Sequence, residues 1–115
     1  MPNEKTLFSA IDELRLSSER MAKAEAAYDK AVTDAYRREY EACYKTMQDP
    51  ESFGIRLGAS VTDRNFKAIC AVDNDWKSAV ERRQKAHLSN LLAKADHEHK
   101  LQTVETLKCL CKSNS

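Results

Sequence analysis

Pro50-Glu51-Ser52-Phe53-Gly54-Ile55-Arg56-Leu57-Gly58 is the stretch on which the fold turns. It holds both glycines of the chain and every proline except Pro2, so all the strong breakers of regular structure lie here or at the first residues. On either side the sequence is dominated by Ala, Glu, Lys, Arg, Leu and Gln, which are good helix formers. No run alternates β-branched with polar residues, so no strand is expected. Two long helical regions and one central connection follow.

The first region is expected over 3–47, with Ser17-Ser18 as the place for a break or bend. Ser9 followed by Asp12, or Ser17 and Ser18 before Glu19, offer starts. Leu7, Phe8, Ile11 and Leu14 stand at helical spacing, and Met21, Ala24, Tyr28, Val32, Ala35, Cys43 and Met47 continue one apolar side. The connection is expected over 48–60, because the residue before Pro50 avoids the helical region. The second helix is expected over 61–110, its apolar stripe running through Phe66, Ile69, Val72, Trp76, Val80, Leu91 and Leu101, with Val104 at the edge. Residues 111–115 are read as a frayed tail of the single 1–115 domain.

Two long helices with a short connection fold back antiparallel, so the expected fold is an all-α helical hairpin resembling a coiled coil. Facing residue numbers then total about 112, which sets Met21 against Leu91, Ile11 against Leu101 and Glu25 against His87. A two-helix core is thin, and Tyr40, Tyr44, Leu88, Leu92, Leu107 and Leu110 fall outside it. These residues predict a second apolar surface and a homodimer forming a four-helix bundle.

Charge excludes more than it assigns. Nineteen basic against 18 acidic residues leave a net charge of +1, too little for a strongly phosphate-binding coat. No apolar run approaches the roughly 20 residues of a membrane span, so no membrane partner is expected. The start Met1-Pro2-Asn3-Glu4-Lys5 lacks the basic and apolar stretches of a secretory signal, which predicts a cytoplasmic protein with reduced thiols.

The chain has no glycine-rich phosphate loop, no Gly-x-Ser-x-Gly and no His-Glu-x-x-His, so neither an enzyme nor a cofactor is expected. Cys43, Cys70, Cys109 and Cys111 match no zinc-ribbon or Cys-x-x-Cys spacing. His97 and His99, like Cys109 and Cys111, are two residues apart and point about 200° away from each other on a helix. They chelate only if the helix unwinds, and no metal is expected.

The succession Ala24-Glu25-Ala26-Ala27-Tyr28-Asp29-Lys30-Ala31, Tyr36-Arg37-Arg38-Glu39-Tyr40, a glycine-containing break, and Val61-Thr62-Asp63-Arg64-Asn65 resembles small bacteriophage and prophage proteins. Asp75-Trp76-Lys77-Ser78-Ala79, leading to Leu101-Gln102-Thr103, extends the likeness. It spans roughly residues 20–110 and implies a helix–break–helix chain encoded in an early recombination or replication region. The likeness supplies no functional residue.

The leading functional expectation is a non-enzymatic, phage-encoded helical module that binds or inhibits a host or phage protein. Its anchors are Phe53, Ile55 and Leu57 at the tip with Tyr40 and Tyr44 beside it, while Arg56, Arg64 and Lys67 steer an acidic partner. The alternative is a nucleic-acid accessory factor using Arg37, Arg38, Arg82, Arg83 and Lys85.

Overall fold

The structure is a computed structural model that describes residues 3–53 and 73–113. Helix α1 runs Glu4–Gln48, a short 3-10 helix runs Pro50–Phe53, and helix α2 runs Asn74–Ser113. No strand occurs among the described residues. The fold class is the expected all-α one, built on two long helices.

Side chains fix the helix ends. Asn3 caps α1: its Oδ1 accepts from the Thr6 N–H at 2.9 Å, and its carbonyl accepts from the Leu7 N–H at 3.0 Å. Asp73 does the same for α2, with Oδ1 accepting from the Trp76 N–H and the carbonyl from the Lys77 N–H, both at 3.0 Å. Asp73 thus stands outside α2 as the cap of its Asn74 start, while the expected start at 61, with Phe66, Ile69 and Val72 of the expected stripe, lies outside the described residues. The helix continues through Ser113, past the expected end at 110. Helix α1 stops as predicted before Pro50, which opens the 3-10 helix while the Ser52 hydroxyl donates to the Asp49 carboxylate.

The chain divides into two compact units, Met1–Ala27 with Ala86–Ser115, and Tyr28–Lys85. In the first, three cross-helix contacts show that α1 and α2 run antiparallel. Glu13 meets Lys100 at 3.2 Å, Ser17 meets His97 at 3.1 Å, and Arg20 meets Asp96 at 3.7 Å. These pairs total 113, 114 and 116 in residue number, so the register is offset by a few residues from the expected 112. In the second unit Ala35, Ala42, Thr46 and Ala79 are buried, and Tyr28, Val32, Cys43, Trp76 and Val80 are partly buried around them.

Burial along each helix repeats in steps of three and four. In α1 it passes through Leu7, Ala10, Leu14, Ser17, Met21, Ala24, Tyr28, Ala31, Ala35, Arg38 and Ala42. In α2 it passes through Trp76, Ala79, Arg83, Ala86, Asn90, Ala93, His97, Lys100, Val104, Leu107 and Cys111. An average step of 3.5 residues is the coiled-coil period. One heptad position is small over part of each helix, at Ala10, Ser17, Ala24 and Ala31 in α1 before Arg38, and at Ala79, Ala86 and Ala93 in α2 before Lys100 and Leu107. Small side chains at a helix contact permit a short interaxial distance.

This phase corrects the expected stripe. Leu91 and Leu101 are exposed, as are Phe8, Ile11 and Met47, whereas Val104 is only 2% exposed. The cause is the distribution of apolar residues around α2. Leucines lie on several of its sides, so hydrophobicity alone does not choose the packed face. The alanines at 79, 86 and 93 keep the three–four spacing unbroken, and the steps from Val80 to Leu91 to Leu101 do not. The same phase leaves Glu25 and His87 exposed. Asn90 enters the seam at 4% exposure, and its side-chain oxygen has no hydrogen-bond partner among the described residues. A lone seam asparagine costs stability and fixes register.

The expected break at Ser17-Ser18 is absent, since α1 is continuous there. Ser17 is fully buried, and its hydroxyl donates to the Leu14 carbonyl at 2.7 Å. That keeps the helix intact while it absorbs the hydroxyl proton.

Candidate functional site

Among the described residues of the second unit, the most exposed large apolar side chains share one line on α1. Tyr36 is 63% exposed, Tyr40 73%, Tyr44 57% and Met47 68%. At about 100° per residue, steps of four advance only about 40° around the helix, so the tyrosines form one ridge. That ridge lies on the side of α1 away from the buried Ala35 and Ala42. Packing within the unit has consumed the alanine side and left the aromatic side in water.

The next ridge is charged: Arg37, Glu41 and Lys45. Arg37 pairs with Asp34 at 3.1 Å and Arg38 with Glu41 at 3.3 Å, each pair joining an exposed residue to a partly buried one. Tyr40, Glu41, Tyr44 and Lys45 line a shallow open groove of about 290 Å³. On the other flank Cys43 is partly buried. Burial pushes its thiol up from the usual range, and the negative charge of Glu39 adds to the effect. The result is an aromatic strip edged by charges that nearly cancel.

The structure brings together some of the anchors nominated from sequence. Tyr40 and Tyr44 lie on the ridge, and Phe53 ends the 3-10 helix that follows α1. Ile55, Arg56, Leu57, Arg64 and Lys67 lie outside the described residues. Tyr36 and Met47 were missed. Met47 was assigned to the packed stripe, and Tyr36 stands one turn before Tyr40, so the four-residue recurrence was the signal that could have found it.

The basic residues of the alternative reading are not gathered into one free patch. Arg37 and Arg38 are engaged by carboxylates of their own helix, and Arg83 is partly buried in the seam phase of α2. Arg82 and Lys85 are exposed.

The histidines and cysteines near the end of α2 are dispersed as well. His97 bonds Ser17, His99 and Cys109 are exposed, and Cys111 is partly buried. No group of three or more His, Cys, Asp or Glu able to hold a metal occurs among the described residues. The Ser17–His97 pair is not a nucleophile and base. Its hydroxyl is buried and directs its hydrogen to the Leu14 carbonyl, which leaves Ser17 Oγ as the acceptor for the Nδ1–H tautomer of His97.

No described helix is long and apolar enough to cross a membrane. No family model, curated protein or solved structure matches the chain.

Proposed function

We propose that this chain is a non-enzymatic docking module that binds a polypeptide through the Tyr36–Tyr40–Tyr44–Met47 face of α1. One observation carries the reading: three tyrosines and a methionine stand in line, more than half exposed, on the side of the helix that packing leaves free. Tyrosine, methionine and arginine are enriched at protein interfaces, and tyrosine supplies contact area with few rotatable bonds. The nearly balanced charge beside the ridge favours a polypeptide over a phosphate backbone. The likeness to phage and prophage proteins supports a partner of phage or host origin, met in the host cytoplasm.

The test uses a tagged chain incubated with nuclease-treated host extract to which untagged chain has been added. Protein retained by the tagged chain is expected to be lost with Tyr40→Glu and kept with Arg82→Ala. Retention indifferent to Tyr40→Glu, or abolished by the nuclease, overturns the reading, and the second result favours a nucleic-acid role.

A further inference from the structure

We draw no further inference here: the strongest candidate, the exposed patch of Leu88, Leu91 and Leu92 on the side of α2 away from the seam, carries nothing, because nothing in the structure shows what covers it.

Discussion

Ser17 holds the first unit together by an economy of protons. It is fully buried, it gives its proton to the Leu14 carbonyl, and it accepts from His97 on the opposite helix. Ser17→Ala leaves that imidazole N–H without its partner, and the expected loss is about 1–2 kcal/mol in urea unfolding. The double variant Ser17→Ala with His97→Ala is expected to lose less than the sum of the single changes, because both remove the same bond. Cys43 illustrates a different control. Burial and the Glu39 carboxylate raise its thiol above the ordinary value of 9.0. Below that pH the thiol is neutral in folded and unfolded chains alike. As pH climbs past it the unfolded chain ionises first, so the folded state loses stability on the alkaline side. The exposed Cys109 is accordingly expected to take iodoacetamide before Cys43 at pH 8, as read by peptide mass mapping.

Among the elements, the seam of small residues is the feature on which packing depends. Ala86→Leu forces a large side chain between α1 and α2 and is expected to destabilise by about 1–3 kcal/mol. Leu92→Ala, on the exposed side of the same helix, is expected to change stability by less than about 0.5 kcal/mol. A chemical-denaturation series over the two variants separates a seam of alanines from a seam of leucines. This contrast also explains what could be read from sequence. Pro50 marked the end of α1 because the residue before a proline is kept out of the helical region. Asn3 and Asp73 were missed as caps because Ser9, Ser17, Ser60 and Thr62 offered competing starts, and only the hydrogen bonds to Thr6 and Trp76 distinguish the residues that cap. The phase of α2 was misread because leucines at 91 and 101 outweigh alanines on any hydrophobic scale, although close approach favours alanine, whereas Leu88 and Leu92 are exposed as expected. Half of the candidate site was visible: Tyr40 and Tyr44 stand out as lying outside the stripe, whereas Met47 falls at a spacing that also suits the stripe.

At the scale of the whole molecule, electrostatics contributes little to stability. The chain is nearly neutral, and the ion pairs among the described residues all include at least one substantially exposed side chain. Such pairs are worth about 0–1 kcal/mol each and are screened by salt. Raising sodium chloride from about 0.05 to 0.5 M is therefore expected to move the unfolding free energy by less than about 1 kcal/mol. A larger loss would place more of the stability in the Glu13–Lys100 and Arg20–Asp96 contacts than their exposure allows. The bond between Ser17 and His97 belongs to a different category. The Leu14 carbonyl takes the one hydrogen that the Ser17 hydroxyl has to offer, so Oγ is left to receive from the imidazole, and the clasp between the helices works in one direction only.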